Sequence, residues 1–374
     1  MDFVYSDEQE MLRESVDRYG AANWAAADRL KILSAGPDLM QKRWAEMAEL
    51  GWLMLPIAEA DGGLGGGPVE IMAVMEGMGR HLIALPYATS CVLAPALLSG
   101  SAAGGELLEQ IGSGRAIAAA GFLEADSGYD LYRVATRAEP RPDGWRVSGA
   151  KVHVEDGADA NWFLVSARTA GGTDERDGVG LFLVSRDDDG MTVEPFRAID
   201  GHRHARLKLD RALALPLGNV EAALPGIEAA VDRAIAAQLA EAVGSMEAAS
   251  AATLDYIRTR RQFGVAIGSF QVLQHRMVDM IVAGEEARAM AYHAALNLHL
   301  PDGERARAVA AGKVRVSESG IYVGQQAVQL HGGVGISEEL IVSHHLRRQM
   351  MLNLSFGPLE HHRTRFGQLG AWEE

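Results

Sequence analysis

Read only as apolar and polar positions, the chain changes period twice. From Ser6 the apolar residues Met11, Leu12, Val16 and Tyr19 recur at the spacing of one helix face. Ser6-Asp7-Glu8-Gln9, just before them, has the form of a capping start. Pro37–Leu50 repeats the period with Leu39, Trp44, Met47 and Leu50, and further helices are expected over Val69–Met78 and Ser90–Leu98. Gly51–Pro56 reads as an apolar connector and the Gly-rich Glu59–Gly67 as a loop. From about Ala116 the period falls to two. Strands are expected at Ala116–Leu123, Tyr132–Ala138, Gly144–Val154, Trp162–Ala167, Gly178–Val184, Thr192–Pro195 and Ala205–Leu209, joined by turns such as Arg141-Pro142-Asp143-Gly144. Seven short strands of this kind predict a small barrel or sandwich. From Leu224 the helical period returns, through Ile227–Arg261, Phe270–Leu298, Glu304–Leu330, Glu338–Met351 and Gly357–Leu369. Long helices with short links predict a bundle. The expected class is α+β multidomain: an N-terminal helical domain (1–115), a β-barrel or sandwich domain (116–222) and a C-terminal helical bundle (223–374).

Composition narrows the function more than the fold. A chain of 374 residues is long enough for two or three domains with their own cores. Its net charge of −15 argues against nucleic acid or an anionic membrane as partner. No apolar run reaches the length of about 18 residues that a membrane span needs. The acidic, amphipathic start is not that of a signal peptide, so the expected location is cytoplasmic. A single cysteine, Cys91, excludes an internal disulfide framework and a cysteine-cluster metal site. Asp187–Asp189 lacks the ligand spacing and closing Glu of a calcium loop and reads as a hairpin turn, so no metal is expected. Gly62–Gly67 lacks the preceding strand and the Gly-Lys-Ser/Thr of a phosphate loop.

Candidate chemistry concentrates in Tyr256–Met280. Arg258, Arg260 and Arg261 close a long helical run, Phe263-Gly264 breaks it, and Ser269 is the expected N-cap of the next helix. Arginines beside a fresh helix N-terminus suit an anion such as phosphate. They equally suit the macrodipole of the helix they end. A second Gly-rich helix end follows at Gln329-Leu330-His331-Gly332-Gly333-Val334-Gly335. Together, Arg260-x-x-Phe263-Gly264, Phe270-Gln271 and Gln329-x-x-Gly332-Gly333 resemble the flavin-binding half of the acyl-CoA dehydrogenase family. Within that family the stretch Arg260–Met280 is most similar to the small subunits of pimeloyl-CoA dehydrogenases. Helices, then a β-domain, then a bundle is also that family's layout.

The resemblance implies α,β-dehydrogenation of an acyl-CoA thioester with FAD as electron sink. It implies that Arg260 reaches the FAD pyrophosphate from a neighbouring subunit, that Phe263, Phe270 and Gln271 line the adenine side, and that Gln329, Gly332 and Gly333 approach the same FAD. Gln329 also reads as a surface amide on a capped helix. On the flavin-ring side the family's Thr-Glu-Pro-x-x-Gly-Ser-Asp segment corresponds to Leu123–Asp130, which keeps Glu124, Gly128 and Asp130 and loses the hydroxyls. The family's Trp-Ile-Thr corresponds to His153-Val154-Glu155. Leu123, His153 and Glu155 are thus the ring-side candidates, with a Glu where a hydroxyl donor is usual. His153 reads either as a ring partner or as a solvent-facing strand histidine.

The base that would take the α-proton is not where the family places it. Phe356 stands in the C-terminal Glu position, and Ala234 in the alternative position on the long helix. Seven residues beyond Ala234 lies Glu241, close to the same helix face and flanked by Ala, Leu and Val. An apolar pocket would raise its pKa toward that of a working base. Two turns displace it by about 10.5 Å along the axis, and it reads alternatively as a structural carboxylate paired with Arg260 or Arg315. Asp232 is a weaker candidate, and His361 and His362 read as surface residues or cofactor neighbours.

The implied partners are an acyl-CoA substrate, an electron-transfer flavoprotein, and either a second copy or a paralogous subunit. Phe356 and Glu155 favour a non-catalytic or half-catalytic subunit of a heteromer. A flavin oxidase or monooxygenase on the same fold, and an interaction role without flavin, are the other readings left open.

Overall fold

A computed structural model describes residues 5–101 and 103–370. Its helices are α1 (Asp7–Asn23), α2 (Arg29–Ser34), α3 (Pro37–Glu49), α4 (Pro68–His81), α5 (Ala94–Leu98), α6 (Gly104–Gly112), α7 (Leu224–Thr259), α8 (Gln271–Leu296), α9 (Asp302–His331), α10 (Ile341–Leu354) and α11 (Leu359–Leu369). The strands are β1 (Ala118–Gly121), β2 (Arg137–Arg141), β3 (Gly144–Val154), β4 (Trp162–Arg168), β5 (Val179–Ser185), β6 (Met191–Arg197), β7 (Arg203–Leu217) and the short pair β8 (Arg261–Gln262) and β9 (Val265–Ala266). They gather in two compact units. One comprises residues up to Ala35, Pro68–Ala84 and residues from Ile235 on; the other comprises Gly36–Gly67 and Leu85–Ala234.

In the second unit the expected β-domain is a closed barrel. β4 pairs with β5, β5 with β7, β7 with β3 and β3 with β2, and the Arg137↔Arg168 bridge returns β2 to β4. β1 adds to β4 in parallel, and β6 adds to β7. Alternation puts Phe163, Val165 and Ala167 of β4 and Phe182 and Val184 of β5 inside. On β7 the buried set runs Ala205, Leu207, Leu209 and then Ala212, Ala214. The parity changes at Arg211, whose φ of +55° marks a bulge where the β3 register also slips. Asp188–Met191 forms a tight turn, with Met191 N–H bonded to Asp188 O at 2.9 Å. Among the described residues no cluster of His, Cys, Asp and Glu could hold a metal.

In the first unit α1, α4 and α7–α11 form the bundle. The α4 and α7 backbones touch at two glycines. A Cβ on Gly79 would lie 1.9 Å from Glu241 O, and one on Gly244 would lie 1.9 Å from Glu76 O. An alternating charge ladder then joins the helices: Asp17 and Glu247 bond Arg80, and Glu247 and Glu76 bond Arg288. No helix among the described residues is long and apolar enough to cross a membrane.

Candidate functional site

Glu241 is 3 % exposed, on the face of α7 that meets α10. Both its oxygens are taken by one guanidinium: Arg348 Nε donates to Oε1 at 2.6 Å and NH2 to Oε2 at 2.8 Å. The partner is therefore neither Arg260 nor Arg315, and the apolar flanks expected around Glu241 do not describe its carboxylate. Further polar bonds join α7 and α10. Gln349 Nε2 donates to Ala242 O at 2.8 Å, and Ser245 Oγ lies 2.9 Å from His345 Nδ1. Burial pushes the His345 imidazole down to about 3, so it is neutral. Ala234 and Asp232 are fully buried in α7. Phe356 holds a strained positive φ of +51° just after α10, and its carbonyl accepts from His362 Nε2 at 3.0 Å. His362 is buried rather than at the surface.

The other end of α7 carries the phosphate-side candidates. After Thr259 the chain makes a two-residue hairpin, with Phe263 (φ +52°) and Gly264 (φ +83°) both left-handed as such a turn requires. Ile267 N–H closes it on Arg260 O at 2.9 Å. Ser269 does not cap α8. Its hydroxyl turns back to Ala266 O, and Phe270 holds the N-cap position. Phe263 is 91 % exposed, its ring edge-on to Phe270 with centroids 6.2 Å apart. Arg260 and Gln271 are exposed as well. α9 ends beside this hairpin: Tyr256 stacks on His331 at 4.3 Å, and Gln329, Gly332 and Gly333 stand exposed around that end. Gly332 has φ +66°, and a Cβ on either glycine would meet nothing within 4 Å.

The ring-side candidates lie on the barrel. Leu123 is half-buried, and its carbonyl accepts from Val152 N–H at 3.0 Å. Next to it Glu124 binds buried Lys151 at 2.7 Å and accepts from Ala135 and Thr136 N–H. Burial opposes that charge, but Lys151 and these donors hold the Glu124 pKa below the usual carboxylate range. His153 is half-buried. Its ring is edge-on to His204 at 4.9 Å and 6.1 Å from Phe196. Beyond Glu155, Asp156 sits at φ +55°, its N–H bonded to His204 Nδ1 and its carboxylate to Thr89 and His202. Burial lowers the His204 pKa. Lys151, Asp156 and His204 carry no local sequence signal. Their partners come from distant segments, and only the fold brings them together.

Exposed Arg260, with no side-chain partner among the described residues, and the open backbones of Gly332 and Gly333 offer donors and room for a pyrophosphate. On the barrel, Glu155 is half-buried and, when ionised, only accepts hydrogen bonds.

A closed barrel and a helical bundle, with further helices, make up the described residues. The acyl-CoA dehydrogenase N-terminal domain profile matches residues 6–110, the middle domain profile 119–212 and the C-terminal domain profile 225–368. The chain belongs to the acyl-CoA dehydrogenase family. It is 28 % identical to the probable acyl-CoA dehydrogenase YngJ of Bacillus subtilis, over 96 % of this chain and 97 % of that protein. Among solved structures it resembles a variant of the Tcur3481-Tcur3483 steroid ACAD (26 % identity, 97 % of each chain, TM-score 0.88). It also resembles the ChsE4-ChsE5 complex from Mycobacterium tuberculosis (25 % identity, 100 % of each chain, TM-score 0.86).

Proposed function

We propose that this chain works in the FAD-dependent α,β-dehydrogenation of an acyl-CoA thioester, with an electron-transfer flavoprotein as acceptor, in the cytoplasm. The observation that carries this reading is the joint exposure of Arg260 and the Gly332–Gly333 backbone at one end of the bundle. Arg260 would hold the pyrophosphate by charge-assisted bonds, and the glycines would let backbone approach the same group. Phe263 and Phe270 would flank the adenine. Bound flavin would supply the hydride acceptor. A surface stripe on α8, with Val272, Val278, Ile281 and Val282 exposed, supports assembly through the C-terminal helices. The purified protein should absorb near 450 nm, and Arg260→Ala should remove that band while leaving the fold.

A second reading makes the chain the supporting half of a heteromer. It is favoured by the Glu241–Arg348 pair, in which both carboxylate oxygens of the leading base candidate accept from one guanidinium. Phe356 and Ala234 cannot accept a proton, and Glu155 stands where the resemblance implies a hydroxyl donor. Base and ring seat then come from a paralogous chain, as the paired composition of the similar ChsE4-ChsE5 complex supports. Co-expression with an adjacent paralogue tests it: activity from the pair and none from either chain alone is the expected result.

A further inference from the structure

We propose that Tyr256 and His331 form a positioning pair that fixes the Arg260 hairpin and the Gly332–Gly333 turn against each other, so that FAD affinity depends on their stack. This rests on the reading of that end of the bundle as the phosphate side of an FAD site. Tyr256 lies in the last turn of α7, four residues before Arg260, and Tyr256 O accepts from Arg260 N–H at 2.8 Å. His331 is the last residue of α9, and Gly332 follows it directly. The two rings lie 4.3 Å apart at 24°, close to parallel. Tyr256 OH reaches His331 O at 3.4 Å, one of the end carbonyls that a helix leaves without a partner.

The His331 ring is itself anchored. Its Nδ1 lies 2.8 Å from Ala327 O one turn back, so that nitrogen carries the proton and donates. His331 is buried and Tyr256 half-buried, while the groups on either side of them are exposed. The arrangement is a buried joint under two exposed arms. Each arm hangs from its own helix, and this joint ties the hairpin's helix end to the glycine turn's helix end. Both rings act through the spacing of Arg260 and Gly332.

The test uses the full chain as purified, with its partner chain where one co-purifies, stripped of flavin and titrated with FAD. Unfolding temperature without FAD is recorded in parallel. Tyr256→Leu and His331→Leu are expected to weaken FAD binding by about tenfold at temperatures where both remain folded. Tyr256→Phe keeps the stack and loses only the hydroxyl bond, and is expected to weaken binding about two- to threefold. If the leucine variants do not fold, the phenylalanine variant decides. A lowered unfolding temperature with unchanged FAD affinity in these variants overturns the proposal and makes the pair merely structural. Arg260→Ala separates the two levels: loss of FAD there, with the stack variants unaffected, keeps the site and rejects the pair. A wild type that takes up no FAD rejects both.

Discussion

Glu241 of α7 and Arg348 of α10 meet as a two-bond ion pair, at 2.6 Å and 2.8 Å, inside the bundle. Such a pair joins helices in one register, and removing one partner strands a buried charge. Arg348→Ala is expected to cost about 3–5 kcal/mol in denaturant unfolding. The double variant Glu241→Leu/Arg348→Met should recover most of that loss. If the single and double variants are equally destabilised, the cost lies in packing and not in the charge.

The same residue bears on catalysis. Glu241→Gln keeps shape and loses the charge. As a strut rather than a base, it should leave the rate of anaerobic flavin bleaching by acyl-CoA within a few-fold of wild type. A drop of about a thousandfold or more, the scale of a lost general base, would instead make Glu241 catalytic.

Close contact of α4 and α7 at Gly79 and Gly244 predicts intolerance of any side chain there. Gly244→Ala places a Cβ 1.9 Å from Glu76 O, so the helices must separate. Thermal or denaturant unfolding should show a loss of at least about 1–3 kcal/mol, the usual range for overpacking. A neutral substitution would mean that the helices do not cross this closely in solution.

Burial of neutral His345 gives a pH dependence with a fixed sign. Its folded pKa of about 3 lies below the unfolded value of about 6.5, so between them the unfolded chain binds the extra proton. Stability is therefore complete above that window and falls as pH drops through it, by about 1.4 kcal/mol per pH unit for one histidine. His362, pushed down to about 2 by burial, adds a slope of the same sign. His345→Gln should reduce the slope of stability against pH between 6 and 4 by about one proton's worth. An unchanged slope would show that His345 titrates normally in the fold.

The barrel and bundle were legible because their periods are set by burial. A strand was expected over Gly144–Val154, and β3 has those bounds. β7 runs to Leu217 instead of stopping at Leu209, because the bulge at Arg211 reverses the alternation on which the expectation rested. The break of the helix at Phe263-Gly264 was legible from its glycine, but the two-residue hairpin that follows was not. The environment of Glu241 was not. Ala, Leu and Val flank it along α7, but its carboxylate is set by Arg348, 107 positions away. One signal was available: His344, His345, Arg348 and Gln349 place polar groups at helical spacing on a face that is buried. For His153 the strand pattern does not carry the approach of Phe196 and His204.

The most direct measurement is anaerobic titration of the flavin-loaded protein with a panel of acyl-CoAs, followed at 450 nm, for this chain alone and with a paralogous partner. Bleaching of the flavin band by at least one acyl-CoA, in the chain alone or in the pair, is the predicted result. A flavin band that no acyl-CoA bleaches in either preparation, or no flavin in both, would contradict acyl-CoA dehydrogenation as this protein's work.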